Sequence, residues 1–574
     1  MKKIVLIVLL LLGAAGAAFY FTRSSSPVTA DYYADYLPRN TLATTSFIDL
    51  KGLSETFPGT ALGRFCSKPV VHGVLTELGV PPQGLKEYDD VYDGLSDVMT
   101  NPAFRQVFGD DAVVALLPPD VDRFKTDPEK EARKSLLVFA TSSVAGPLDS
   151  FASLVMSKNI SKETVGDLEL SRIEIDENEV VYGYAKDGVV LLAYSPENIT
   201  QALRQKASGG GLQELDLFQT TKDYWAQFLT GRLYSQNYIN FAEVRSLLLA
   251  SKEKEAGELA RYLDGIKTLS SVLAEDNDSL QMSSKMDYTF EKLHPWVKDQ
   301  YSAVSKENYT LGLLGNKALL YYWVSMLSQD YLKNILSAAN KDQYKQIDAQ
   351  VRKELGVSLD ETMAAVGPQL GLVVNDVVNT GLFPLPKVVL FLEVRDHKIA
   401  QKLLDTLRKR IAERGFASEQ KEQVNGKTIY YWSLLPGEAT QPALVLTDKM
   451  FYLANGKASL KPLLAAEYKP AELPAGMAKT LGKDQTQALK DSNYTAVVFR
   501  PAMLATQVRE AINWLAGMLE ATQGITAEQL KKEIFKLMES ADVVTATSKV
   551  EQNYTLSSLV IKQQKPAGSN SGKK

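Results

Sequence analysis

One cysteine and three histidines in 574 residues leave little material for thiol, imidazole or metal chemistry. Cys66 has no intramolecular partner, so stability in an oxidising compartment must come from packing, and a small buried hydrophobe is its expected role rather than a reactive thiol. His72, His294 and His397 lie far apart, and none has another His, Cys or paired acid at metal-ligand spacing. His72 stands beside Val70 and Val71 in an expected helix, and His397 follows a helix-capping Asp396. We expect none of the three to meet an acid or hydroxyl within hydrogen-bond reach. There is no Gly-x-Ser-x-Gly elbow. Gly209-Gly210-Gly211 lacks the Gly-Lys-Ser/Thr ending of a phosphate loop and reads as a linker between helices. Ser251-Lys252-Glu253-Lys254 and Ser418-Glu419-Gln420-Lys421 match the bare Ser-x-x-Lys of penicillin-recognising enzymes without its companion elements. Charge of one sign is also lacking: 64 basic against 68 acidic residues, mixed along the chain, give a net charge of −4 and exclude a nucleic-acid footprint.

The acids Asp89, Asp90, Asp93 and Asp97 around Gly94 invite a calcium reading. Counted from Asp89, an EF-hand loop needs an oxygen ligand at Val91 and a bidentate acid at Thr100, and both fail. A solvated acidic loop is expected instead. No catalytic, cofactor-binding or metal residue is therefore assigned, and no cofactor is implied.

What the chain does carry begins at its start. Met1-Lys2-Lys3 precedes an uncharged run from Ile4 to Phe21, a positive n-region followed by an apolar span. As a helix the span reaches about 27 Å, close to a hydrocarbon core of about 30 Å. Two outcomes compete. Residues 4–21 remain as a signal anchor, with Tyr20 and Phe21 at the interface ahead of Arg23, or Ala15-Gly16-Ala17 is read as a cleavage site. Either one places the bulk of the chain outside the cytoplasm, in the periplasm of a cell whose inner membrane holds the anchor. At the other end, residues 563–574 lack large apolar side chains and are expected to be disordered.

Between the ends the sequence repeats itself. Leu37-Pro38-Arg39-Asn40-Thr41-Leu42 and Leu314-Gly315-Asn316-Lys317-Ala318-Leu319 each precede an apolar stretch, and the same offset carries Glu77-Leu78-Gly79-Val80 onto Glu354-Leu355-Gly356-Val357. The run from Lys134 to Phe139 matches Lys387 to Leu392. Each ends at a helix start, with Ser143 or Asp396 as the cap. Tyr184 to Ala193 aligns with Val445 to Ala454 as a hairpin turning at Asp187 or Asp448, and Ile199 and Leu203 of the following helix align with Leu460 and Leu464. Asn237-Tyr238 is matched to Asn493-Tyr494, and Ser284-Lys285-Met286 to Ser548-Lys549-Val550. In the first closing strand Met282, Met286, Tyr288 and Phe290 are expected on a dry face, with Gln281, Ser283, Lys285, Asp287 and Thr289 on a wet one.

The expected architecture is α+β: two tandem copies of a mainly antiparallel sheet unit covered by amphipathic helices, after an N-terminal transmembrane or signal segment. The segments are 1–23 (signal anchor or signal peptide), 31–292 (first repeat), 306–562 (second repeat) and the tail, with a join around His294-Pro295-Trp296. Extra residues of the first copy are expected around Tyr88 to Val107. The aromatic groups Tyr321-Tyr322-Trp323 and Tyr430-Tyr431-Trp432 fall in expected strands, so each sends rings both inward to the core and outward, where a ligand or partner could meet them.

The leader, the Leu-Pro-x-x-Thr-Leu start at Leu37, the run Thr60-Ala61-Leu62-Gly63-Arg64 and the strand-turn-strand-helix ending at Ala202-Leu203 together resemble an uncharacterised bacterial family of membrane-anchored envelope proteins, catalogued as domain of unknown function 3352. The resemblance brings no catalytic residues. Three classes of function stay open: a non-enzymatic envelope protein that binds an envelope protein partner or serves as a scaffold, a carrier or chaperone for a lipid or other apolar ligand, and an enzyme whose site no motif reveals.

Overall fold

The computed structural model describes residues 30–100, 111–141, 160–176, 179–229, 231–276, 279–305, 307–327, 341–379, 384–415, 417–433, 437–523 and 528–564. The chain divides into two compact units: Met1–Leu293 with Gly524–Leu537, and His294–Gln523 with Met538–Lys574. The fold is α+β with extensive antiparallel sheet. Residues 4–21 and Ser143 lie outside the described residues. Among the described residues, no helix is long and apolar enough to cross a membrane.

The first unit contains β1 (Ala43–Ile48), β2 (Asp111–Leu116), β3 (Leu136–Thr141), β4 (Ile160–Val165), β5 (Leu168–Asp176), β6 (Glu179–Lys186), β7 (Val189–Ala193), β8 (Arg232–Asn240), β9 (Ile266–Asp276) and β10 (Ser279–Tyr288). They pair antiparallel in the order β10-β9-β8-β1-β2-β3-β7-β6-β5-β4. Its helices include α1 (Lys68–Glu77), α2 (Pro82–Thr100), α3 (Pro196–Ser208) and α4 (Asp216–Ala226).

In the second unit the strands are β11 (Leu320–Ser325), β12 (Val366–Asn379), β13 (Pro384–Val394), β14 (Glu419–Val424), β15 (Lys427–Trp432), β16 (Ala443–Leu446), β17 (Met450–Ala454), β18 (Thr495–Phe499), β19 (Ala541–Val550) and β20 (Tyr554–Gln563). Their order is β20-β19-β18-β11-β12-β13-β17-β16-β15-β14. Adding ten to every label of the first order yields the second. Helices here include α5 (Pro295–Ser302), α6 (Lys341–Leu355), α7 (Leu359–Ala365) and α8 (His397–Glu413). The segment expected as a join is thus helical from Pro295, with the His294 ring accepting from the Trp296 N–H.

Turn chemistry sets several of these elements. Asp187 and Gly188 both take positive φ, 53° and 78°, so β6 and β7 close through a two-residue turn whose twist suits the strands. Asp448 and Lys449 turn the matching hairpin with a Thr447 N–H to Met450 C=O bond instead. The Asp396 carboxylate accepts from the N–H groups of Lys398 and Ile399 and starts α8. Ser195 stands at the N-cap position of α3, after the first hairpin, but its hydroxyl bonds Glu197 and leaves the backbone uncapped.

Several alignments need correction. Pairing equates Phe139 with Phe391, because each lies opposite the strand partner of Ser46 or Trp323, so the run from Lys134 was matched one residue out. Tyr238, opposite Thr44, corresponds to Val498, opposite Tyr321, rather than to Tyr494. Ser548 to Val550 lie on β19, which corresponds to β9 and not to the closing strand β10. Runs that are apolar on both faces tolerate such slips in sequence, although each one-residue slip would turn every side chain over. Behind the second hairpin no α-helix forms. Lys457–Ser459 and Lys461–Leu464 are short 3-10 turns, the latter starting at Pro462 in its first turn, although Leu460 and Leu464 are buried as aligned.

The expected acidic loop is a helix. Asp89, Asp90, Asp93 and Asp97 all lie on α2, a 19-residue element standing where the second unit has only the seven residues of α7. The faces of β10 are also reversed. Met282 is 39% exposed, while Ser283 is buried and Lys285 and Asp287 form a 2.7 Å ion pair in a largely enclosed setting. A bulge between Asp287 and Tyr288 then returns the Tyr288 ring to the core. The expected tail starts late, since Gln563 still pairs with Ala541 in β20.

The inner face of the second unit packs Tyr321, Trp323, Val373, Val389, Phe391 and Tyr452 into one core. Two of its polar aromatics are matched: Gln369 Oε1 accepts from the Trp323 indole N–H at 3.0 Å and from the Tyr309 N–H at 3.2 Å, and Tyr321 bonds Asn308 and Thr310. In the first unit the Glu77 carboxylate, at the end of α1, accepts from the N–H groups of Gln529 and Leu530 at the start of helix Glu528–Glu539. A negative charge there satisfies free N–H groups and complements the helix dipole. The Gln529 side chain passes so close to Gly73 that a Cβ would meet it at 2.1 Å.

Candidate functional site

Helices α1 and α2 place Lys68 and His72, four apart, against Asp89 and Asp93, also four apart. His72 Nδ1 lies 3.0 Å from Asp89 Oδ1, and Lys68 Nζ lies 2.6 Å from Asp93 and 3.9 Å from Asp89. The expectation that no histidine meets an acid is therefore overturned. It failed because the acids were assigned to a loop, whereas a helix hairpin sets two i,i+4 pairs face to face.

The chemistry this pair can do is limited by its surroundings. No hydroxyl or thiol among the described residues bonds the His72 ring. Hydrogen bonding to Asp93 holds the Lys68 ammonium above its ordinary range. Burial pushes the Cys66 thiol up, away from the thiolate a nucleophile needs. Among the described residues no group of three or more His, Cys, Asp or Glu is placed to hold a metal ion. Asp89 and Asp93 already face cations, so the acidic run offers a cation little.

The other singled-out residues are dispersed. Ser251 caps a helix end through the Leu248 carbonyl, at 2.7 Å, and Ser418 is exposed ahead of β14. Gly209 and Gly210 take positive φ and end α3, as a linker should, while the Arg39 side chain donates to the Gly210 carbonyl. His397 opens α8.

The aromatic groups alternate as strand geometry requires: Tyr321 and Trp323 are buried and Tyr322 is exposed between them. The Arg408 guanidinium stacks over Tyr430 at 3.7 Å while its fork holds Glu419. Lys457, almost wholly buried, lies 4.1 Å from the Tyr431 ring centroid and ion-pairs with Glu422 at 2.8 Å and Glu438 at 3.2 Å. Lys461 meets the same two acids. This four-charge cluster had no local sequence signal, because its members come from three separate segments.

A continuous apolar row crosses the second unit on the face opposite its core. Tyr322 stands opposite Leu372, Leu372 opposite Leu390, and Leu390 opposite Leu453. Exposures of 38% for Tyr322, 42% for Leu390 and 36% for Leu453 mark it as an apolar surface.

No family model matches the chain, and no curated protein matches it. Among solved structures, crystal form I of TP0453 aligns at 8% identity over 46% of this chain and 80% of that one, with a TM-score of 0.23. Form III aligns at 9% identity with the same coverage and TM-score, and form IV at 8% identity over 44% and 79%, again with a TM-score of 0.23. Similarity at that level carries no argument about fold or function.

Proposed function

We propose that this is a non-enzymatic envelope protein with a binding or scaffolding role, held in the inner membrane by residues 4–21, with its bulk periplasmic and built from two copies of one ancestral unit. The observation that carries the reading is that two ten-strand orders correspond label for label while their polar groups do not. Asp89 lies on α2, for which the second unit has only the short α7; the offset that carries Glu77 onto Glu354 puts Ala349 of α6 in the place of His72, and the Lys457 cluster has Pro196 at its aligned position. Duplication that keeps a framework and not its reactive groups is what a scaffold needs. The same duplication and leader favour a place in the envelope family that the sequence resembles. Fractionation with protease protection tests the placement: the full-length protein should sediment with membranes and be digested only from the extracytoplasmic side. Recovery from the cytosol overturns it.

The row Tyr322-Leu372-Leu390-Leu453 favours a second reading, carriage of a lipid or other apolar ligand. A fluorescent fatty acid that binds the whole protein and is released by Leu390→Asp supports carriage. Equal binding by both proteins removes this row as the site.

A further inference from the structure

The two units fill one pair of facing core positions differently. In the first, Ser46 on β1 stands opposite Gln236 on β8, and Tyr238 follows two residues along on the same face. Ser46 and Tyr238 are fully buried and Gln236 is 4% exposed, yet Ser46 Oγ, Gln236 Oε1 and Tyr238 Oη have no hydrogen-bond partner among the described residues. The corresponding positions of the second unit hold Trp323, Ala496 and Val498. There an indole occupies the space, and its one polar atom is bonded to Gln369.

Buried polar atoms are rarely left unpaired, and three together on one face point to an occupant. Its chemistry follows from the three oxygens. Gln236 Oε1 only accepts, so the occupant must donate. Ser46 can donate or accept. Burial raises the Tyr238 phenol, so it stays protonated and also donates or accepts. None of the three atoms carries a positive charge to hold an anion, and none carries the negative charge a divalent cation requires.

We propose that the inner face of the first unit, between β1 and β8, is a binding site for a neutral hydroxyl group, carried by enclosed water or by a small uncharged polyhydroxylated molecule. The second unit has closed the same site with Trp323.

A high-resolution crystal structure of the full chain, refined without added polyols and again after a glycerol soak, tests this. The expected result is ordered density within hydrogen-bond distance of at least two of the three oxygens. If single water-sized peaks persist through the soak, the hydroxyls are water's. A glycerol molecule that is seated on the same oxygens, touches no neighbouring molecule and is lost in Gln236→Leu crystals would show that the site admits a carbon-bearing ligand, whereas one that persists in those crystals is an adventitious additive only and overturns the carbon-bearing ligand. Direct contact between Ser46 Oγ and Gln236 Nε2, or an empty space, overturns the proposal. Thermal unfolding adds a readout that does not need crystals. The double variant Ser46→Ala/Gln236→Met should melt lower than the parent because it strands the occupant, whereas a higher melting temperature would mean the polar pair had been unsatisfied and also overturns the proposal.

Discussion

The same strand order is filled in two ways. Where the first unit lines the inner face of β8, β9 and β10 with Tyr238, Thr268, Ser270 and the Lys285–Asp287 pair, the second carries Val498, Val543, Thr545, Val560 and Lys562. Helix α4 answers the polar filling in kind: the Thr221 hydroxyl bonds that of Ser270 at 2.7 Å, and the Trp225 indole donates to the Ser271 carbonyl. Backbone pairing defines the sheet in both units, so the inner layer is free to change from apolar to polar so long as each buried group finds a partner.

The contrast can be broken most strongly at Trp323. Trp323→Ala should cost the second unit about 3–5 kcal/mol and strand Gln369 as well, read by urea unfolding with hydrogen exchange in each unit. The first unit, with Ser46 there, should be untouched, and an equal loss in both would show that the units unfold as one. Next is Gly371, which corresponds to Val113. A Cβ on Gly371 would lie 2.0 Å from the Tyr322 carbonyl oxygen and 2.6 Å from the Phe391 ring. Gly371→Ala is expected to cost about 1–3 kcal/mol by overpacking, measured by the same unfolding midpoints.

A smaller effect separates the two helix starts. Asp396→Ala should lose about 1 kcal/mol because two N–H groups lose their acceptor, whereas Ser195→Ala should lose only about a few tenths, since that hydroxyl caps nothing. Equal losses would mean that Ser195 does cap α3 in solution. The gentlest test is acid. Hydrogen bonds from Lys457 and Lys461 hold the Glu422 carboxyl below its ordinary value of 4.5, and those from Lys461 and Lys457 do the same for Glu438. A depressed folded value means the support is present above pH 4.5 and lost as pH falls through the folded values. Amide exchange at Lys457 to Leu464 should accelerate over that window, and unchanged exchange there would show that the cluster does not support this segment.

How much of this was legible depends on what marked each element. The Gly79 and Gly356 positions, both with positive φ after a helix, aligned correctly because a left-handed residue at a helix end has a strong residue preference. The Asp187 and Asp448 hairpins aligned on a turn aspartate between two apolar runs, although only Asp187 takes positive φ. Strands matched on apolar spacing alone slipped, by one residue at Leu136 and onto the wrong strand at Ser548, because both faces are apolar enough to hide the register. Asn425-Gly426, a two-residue turn with φ of 47° and 74° between β14 and β15, is a further turn signal of this kind in the sequence. The buried Ser46 and Gln236 could not be found from sequence, since the two sit on strands far apart in the chain and neither breaks a local pattern.

Glu77 has a consequence for the order of synthesis. The helix it caps begins at Glu528, nearly at the end of the chain, yet that segment belongs to the first compact unit. A ribosome that has delivered residues 1–293 has delivered an unfinished body, whose α1 face, notched at Gly73, waits for a helix that emerges only after most of the second unit. The first unit to be begun therefore stays open until nearly all of the second has been made, with only β19 and β20 still to follow, and a truncation that spares every strand of the first unit still leaves it incomplete.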